Sequence, residues 1–341
     1  MTGTRAAGAA VPGGQVALAH DDELPPGGEL RALLEDVLAE VRGACPPLGP
    51  HPPAVVSGAH VVDPPFYGSG DIGRVAVCAT VNELAAAGAR PLALTLSAVV
   101  EAGLPLERLH RLARSVRDAA READVVVAGV DVRVVRAGEA DQVYLHTTGI
   151  GAFHGAPPHT PGARPGDRVL LSAPLGGHGA HILSVRRGLG FESLVPSGCA
   201  PLAGLLERAR AAASGDGIRA VRTVARGGLA AALHAYAREL GHTLRVEESA
   251  LPVQYEARMA LEAMAVDPLH ASSESCLCLL VAPDAVPGVL AALRTHPYGR
   301  FAAEIGTVVA DGAAPVELLR DRGGAVPVLV TPEPAAFPRL A

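Results

Sequence analysis

Residues able to hold a phosphorylated ligand are spread along this sequence in three glycine-rich turns. The first, Gly68-Ser69-Gly70-Asp71-Ile72-Gly73, carries a carboxylate at its tip, the second is Gly176-Gly177-His178-Gly179, and the third is Arg226-Gly227-Gly228. Such turns let backbone N–H groups close on phosphate oxygens, and a helix starting behind them adds a favourable dipole. Asp71, Asp131 and Glu274 offer the hard oxygen ligands that Mg²⁺ takes, and Arg133 and Arg226 offer forked donors for phosphate. Together they point to a nucleotide site. A structural reading stands beside that one, because a chain with 39 glycines makes many tight turns and carboxylates often cap them. Asn82 is the only asparagine in the sequence, and it is open to the same two readings, ligand contact or cap amide. His178 and His181 stand one helical turn apart, a spacing for a metal pair, but no third ligand lies nearby and capping or surface histidines account for them as well.

Composition removes whole classes of function. All 29 basic residues are arginine, so there is no phosphate-loop lysine, no Schiff base and no Ser-Lys pair. Aromatic residues make up 3% and the net charge is −6, which leaves little for a base-stacking nucleic-acid surface. No G-x-S-x-G, H-E-x-x-H or CxxC motif is present. The five cysteines are scattered without zinc spacing, as expected for thiols acting as small hydrophobes in a reducing compartment. No run of about eighteen apolar residues could span a bilayer, and the first fourteen residues lack an apolar signal segment. The expectation is a cytoplasmic protein with a disordered tail over residues 1–14, no membrane contact and no nucleic-acid partner.

The elements that position these residues alternate between helix and strand. Leu30, Leu33, Leu34, Val37, Leu38 and Val41 recur at helical spacing, and a strand is expected over 54–62, leading into the first glycine turn. Residues 75–88 predict a helix leaving that turn, followed by a strand over 92–100 and a helix opened by Pro105. Short strands are expected at 125–128, 132–135 and 143–148. The Gly/Pro/His stretch from Gly149 to Pro165 then marks a domain boundary near residue 152. The second half starts again with a strand over 168–172 and the second glycine turn. Helices from Pro201 and Gly228, strands at 243–246 and 277–281, a helix near 287–293 and a strand at 303–309 complete the pattern. The class is α/β (α+β) in two lobes, residues 15–152 and 153–341.

The same residues, read as ordered motifs, carry a resemblance. YGSGDIGRVAVCATVNELAAAGARPLAL, VDVRVV followed by VYLHTTGIG, PGDRVLLS with LGGHGAHILSVRRGLGFES, ARGGLAAALHAYA and HPYGRFAAEIGTV resemble, in the same order, the hydrogenase maturation factor HypE family. That family belongs to the superfamily of AIR synthase (PurM), selenophosphate synthetase and thiamine-phosphate kinase. The resemblance runs from about Val16 onward. It implies a PurM-like fold, a homodimer whose N-terminal sheets join in a barrel, an ATP–Mg²⁺ cleft, and a carbamoyltransferase-like or carrier protein as partner. It also implies a carbamoyl dehydratase, in which ATP drives dehydration of a group carried on the protein's own C-terminal cysteine.

Position by position, Gly70 and Asp71 match the family's glycine turn, Asn82 the amide of the following helix, Asp131 the aspartate of its G-D-T-K motif, Glu274 the glutamate of N-E-G-K, and Arg226-Gly227-Gly228 the T-R-G-G turn. The resemblance therefore gives Arg133 and Glu274 as catalytic residues, Gly70, Asp71, Asn82, Asp131, Arg226, Gly227 and Gly228 as nucleotide contacts, and Asp71 and Asp131 as metal ligands. Other positions depart from the family. Gly58 and Thr223 stand where it has carboxylates, Arg133 where it has lysine, and Ser273, Ser275 and Cys276 where it has asparagine, glycine and lysine. The element at His20–Gly28 is stretched, and Pro338-Arg339-Leu340-Ala341 stands where the family ends in cysteine. The expectation is ATP-dependent dehydration of a carboxamide-type group on a free or carrier-bound substrate rather than on this chain's own tail. The alternative is a non-catalytic paralogue that serves as scaffold.

Overall fold

A computed structural model describes residues 9–10, 16–18, 29–50, 52–68, 70–153, 162–213, 215–320 and 324–328. The stretched element at His20–Gly28, Ser69 and the Pro338–Ala341 sequence lie outside the described residues. So does most of the tail expected over 1–14, of which Ala9–Ala10 pair with Val16–Ala17 as a short antiparallel ladder.

The first lobe is a four-stranded sheet covered on one face by helices. Its elements in chain order are α1 (Glu29–Val37), β1 (Pro53–His60), α2 (Ile72–Ala86), β2 (Ala89–Glu101), α3 (Leu106–Glu122), β3 (Val126–Val135) and β4 (Val143–Phe153). The strand order is β1-β4-β2-β3, with only the β2–β3 pair parallel. Two short strands expected at 125–128 and 132–135 are one strand, β3, because Gly129 is absorbed in a register shift opposite Leu94 and Thr95 instead of starting a turn. Gly149 and Gly151 likewise do not end β4. Gly149 allows close packing, since a Cβ there would sit 2.5 Å from Thr80 Cγ2.

The second lobe contains β5 (Arg168–Leu171), α4 (Gly177–Arg187), α5 (Ala203–Ala212), β6 (Ile218–Thr223), α6 (Gly228–Leu240), β7 (Thr243–Glu247), α7 (Tyr255–Ala263), β8 (Leu277–Val281), α8 (Val286–Arg294), β9 (Ala303–Val309), β10 (Val316–Arg320) and β11 (Gly324–Pro327). The seven-stranded sheet runs β6-β8-β5-β9-β7-β10-β11. The strands β6, β10 and β11 and the helix α7 have no counterpart in the sequence expectations. The pattern Ile-Arg-Ala-Val-Arg-Thr is too polar to read as a strand, and it is half-buried throughout at the sheet's edge.

Helix α2 joins the lobes. Eleven of its fifteen residues are buried, which marks a helix enclosed on all sides. One face packs on the first sheet, while the hydrophobic cluster around it continues into Ala180, Ile182 and Leu183 of α4 and Leu261 of α7. The two lobes therefore share one core. Cys276 and Cys278 belong to a second core in the C-terminal lobe, where burial pushes the Cys276 thiol up to about 12 and leaves it inert. All five cysteines are free thiols.

Candidate active site

The lobes meet in a cleft of about 530 Å³ lined by Ser57, Gly58, Ala59 and His60 of β1, Thr80 and Glu83 of α2, His146 of β4, and Thr223, Arg226 and Glu274 of the second lobe. A second groove, about 590 Å³, continues from it between α2 and α6 and shares Val56, Glu83, Thr223 and Arg226. Glu274 is buried, and its Oε1 has no hydrogen-bond partner. Burial pushes this carboxyl up to about 7, the neighbouring Glu83 adds to the rise, and Arg226 opposes it. A carboxyl poised near neutrality beside an arginine is suited to accept or donate a proton at ordinary pH. Thr223 Oγ1 donates to Glu83 Oε1 at 2.5 Å, tying the two lobes across the rim.

The second and third glycine turns also have a use within the fold. Gly176 N–H donates to Ser273 Oγ at 2.7 Å and Gly179 N–H to Ser272 O at 3.0 Å. Ala230 N–H, in the first turn of α6, donates to Leu269 O at 2.9 Å, and Gly228 N–H donates to Ala225 O. The donors on Gly176, Gly179 and Ala230 hold the loop from Leu269 to Cys276, which carries Glu274, so the second and third turns are clamps on that loop. Gly228 is tightest, with φ +64° and a hypothetical Cβ 2.5 Å from Leu269 O. Gly228→Ala is expected to lower stability by at least about 2 kcal/mol, measured by urea unfolding; an unchanged midpoint would remove the clamp from the account.

Asn82 belongs to the same arrangement. Its Nδ2 donates to Ala200 O at 3.0 Å and to Glu274 O at 3.4 Å, and its Oδ1 accepts from Leu202 N–H at 2.7 Å. The lone asparagine is therefore an internal strut. Both of its N–H donors are taken by carbonyls of the fold, and it holds the backbone of Glu274 against α2.

Asp71 caps α2, accepting from Gly73 N–H at 2.9 Å and Arg74 N–H at 3.4 Å, with Arg111 Nε 3.5 Å away. Its carboxyl is raised by burial, against the pull of these bonds. Gly70, beside it, carries a carbonyl bonded to Arg111 Nη2 at 2.7 Å. Both lie at the far end of the helix, eleven residues or about 16 Å from Asn82. Asp71→Ala is expected to cost about 1–2 kcal/mol as a lost cap, read from the thermal midpoint; no loss would mean that the capping bonds contribute nothing.

Asp131 and Arg133 project from the uncovered face of β3, with side chains 54% and 66% exposed. This strand is the opposite edge from β1, three strand spacings or about 14 Å away. Within one chain, then, Asp71, Asp131 and Glu274 do not converge, and the metal ligands expected from the sequence are apart. Among the described residues no group of three His, Cys, Asp or Glu side chains is disposed to hold a metal ion. His178 and His181 are buried under Tyr67, bonded respectively to Ser197 and to Val195 O. Brought together in or against the cleft are Glu274, Arg226, Gly227, Gly228 and Asn82. The sequence reading missed His60, His146, Thr80 and Glu83. Glu83 adjoins Asn82, which was a usable signal, whereas the histidines enter through the pairing of β1 with β4, which no local pattern announces.

Comparison with known proteins gives the family. Residues 48–153 match the AIR synthase related protein, N-terminal domain, and residues 164–318 match the C-terminal domain of the same name. Carbamoyl dehydratase HypE from Azotobacter vinelandii is 43% identical over 270 residues, 78% of each chain. The chain belongs to the HypE family. The crystal structure of E. coli HypE, a hydrogenase maturation protein, superposes with a TM-score of 0.85 at 33% identity, covering 92% of this chain and 99% of that one. A HypE solved in complex with ATP superposes at 0.78 with 34% identity, covering 87% of this chain and 90% of that one. One from a HypE–HypF complex superposes at 0.77 with 32% identity, covering 87% and 99%. The PurM-like α/β fold expected from the sequence is the fold of these HypE structures.

Proposed function

We propose that the interlobe cleft binds ATP and uses it to dehydrate a carboxamide-type group to a nitrile-like product, as a step of hydrogenase maturation. The observation that carries this reading is Glu274, a buried carboxyl without a partner on Oε1, held near neutrality beside Arg226 in the cleft. Relatives named carbamoyl dehydratase and a HypE bound to ATP support it. Arg226 would take phosphate charge through its forked donors. Mg²⁺ is commonly held by one or two carboxylates together with nucleotide phosphates, and Glu83, on the cleft rim, fits that modest demand. It would supply charge neutralisation there. The amide oxygen leaves on the phosphate as the carbon–oxygen bond breaks, one nitrogen proton remaining on that phosphate and Glu274 taking the other.

In this reading the group to be dehydrated sits on a free or carrier-bound substrate. The HypE–HypF pairing extends in this reading to a carbamoyltransferase-like or carrier partner. Two copies joined through the uncovered faces of their first sheets would give Asp131 and Arg133 a place facing a partner chain, and the homodimer is part of the proposal. Free thiols and the absence, among described residues, of a helix able to cross a membrane favour a reducing, cytoplasmic setting.

A second reading, a scaffold without turnover, draws on Gly58, Thr223 and the separation of Asp131 from Glu274. Thermal unfolding with ATP, with and without Mg²⁺, separates the two. At 100 times its Kd the nucleotide should stabilise the protein by about 2.7 kcal/mol, and a supplied carboxamide should lose one water in step with ATP turnover. Absence of any ATP-induced shift would leave the scaffold.

A further inference from the structure

Gly58 and His60 of β1 form a unit on the wall of the cleft. His60 is buried, and its Nε2 lies 3.0 Å from Thr147 Oγ1, which lies 2.6 Å from Thr80 Oγ1, which in turn donates to Ala76 O at 2.7 Å. The protons in this chain can be assigned. Each hydroxyl has one proton, and Thr80 gives its own to Ala76 O. Thr147 must therefore donate to Thr80, which leaves it only lone pairs for His60. The imidazole proton is thus on Nε2, and Nδ1 carries the lone pair. The ring lines the cleft together with Arg226, Glu83 and Glu274.

Gly58 makes room for this arrangement. A Cβ at position 58 would lie 2.5 Å from His60 Nε2 and 2.8 Å from Thr147 Oγ1. The two residues are exclusive, since a carboxylate at 58 and the His60–Thr147 bond cannot occupy the same space. Burial, with Arg226 and His146 next in weight, pushes the imidazole down to about 4, so at neutral pH the ring is an uncharged acceptor. An uncharged acceptor gains nothing from a phosphate or carboxylate, whose oxygens also accept. It is matched by an N–H donor.

We infer that His60 is a specificity-determining residue of the cleft, its Nδ1 accepting a hydrogen bond from the N–H of the amide-type substrate and so selecting a carboxamide over the corresponding acid. This rests on the dehydratase reading above. The reaction itself balances without a charge on His60. The amide oxygen attacks the γ-phosphorus and the bond to ADP breaks. The C–O bond then breaks as the second C–N π bond forms, and of the two protons lost from nitrogen one remains on the released phosphate and one passes to solvent through Glu274. His60 orients the nitrogen that loses them.

The test compares His60→Gln with His60→Phe. Glutamine can donate through Nε2 to Thr147 and accept through Oε1 from the substrate, whereas phenylalanine keeps the ring and neither bond. With a short peptide ending in a carboxamide and its free-acid counterpart as probes of ATP turnover, the wild type and His60→Gln should prefer the amide. His60→Phe should raise KM for the amide about tenfold with little change in kcat and unchanged ATP affinity by calorimetry. Equal KM in the wild type and His60→Phe would overturn the inference, as would a loss in His60→Gln as large as in His60→Phe. Nitrogen-15 NMR of the wild-type imidazole, assigned by difference with His60→Gln, should show the proton on Nε2. A proton on Nδ1 overturns it independently of activity. Turnover with neither peptide in the wild type would count against the dehydratase reading, leaving the tautomer measurement to decide the role of His60.

Discussion

Glu274→Gln is expected to lower ATP-dependent turnover by about 10²–10⁴-fold while changing nucleotide affinity little. Glutamine keeps the shape of the side chain and cannot exchange a proton. The wild-type rate should climb as pH passes about 7, where burial and Glu83 have placed the ionisation of Glu274, and the variant should lose that limb of the profile. A stability measurement gives the same group a second readout. Its folded-state pKa lies above the ordinary value of 4.5, so between these values the folded chain holds a proton that the unfolded chain has released. Stability from this group is therefore complete below about pH 4.5 and is lost as pH rises to about 7, a fall of about 3 kcal/mol. Glutamine does not titrate, so unfolding free energies of wild type and variant should diverge over that window. Parallel curves would show that Glu274 ionises normally, and full activity in the variant would remove it from the chemistry.

Asn82→Asp is expected to damage both stability and activity. The substitution leaves Leu202 N–H a partner but turns an oxygen toward Ala200 O and Glu274 O, where the amide had donated. Two buried carbonyls lose a donor and face a lone pair, at a cost of about 3 kcal/mol. Because one of them belongs to Glu274, the activity should fall further than the folded fraction does, and the pH profile should shift. Urea unfolding together with the pH–rate profile checks both parts. A variant with the wild-type midpoint would mean that Asn82 is not a strut, and a destabilised variant with an unmoved profile would mean that it does not position Glu274.

Much of the fold was legible because helix and strand periods alternate clearly, as in α3, whose Leu109, Leu112 and Val116 line one buried face. The strand β6 was not, because its burial comes from neighbours and its own residues are polar. At the site, Glu274 and Arg226 were found by residue type and motif order. The role of Asn82 was not, because its partners lie 118 to 192 residues away, and a residue's rarity says nothing of where its amide points. Asp71 and Asp131 show how little residue type says about place. Both have the right chemistry for a metal, and within one chain neither joins a group of three such side chains among the described residues. Motif order along a chain carries no distance, and strand order supplies it.

The loop from Leu269 to Cys276 is fastened from both sides, by Asn82 of the first lobe and by Gly176, Gly179 and Ala230 of the second. A part fastened to two bodies cannot follow either one alone. Any hinge motion that opened the cleft would have to break the amide's hold or carry the loop off its clamps, and in both cases water would reach the Glu274 carboxyl and its acidity would return toward that of an ordinary glutamate. The protonation state of one side chain is thus a built-in gauge of whether the cleft is closed, readable by infrared spectroscopy at a pH between 4.5 and about 7 as the exchange of a protonated carboxyl band for a carboxylate one.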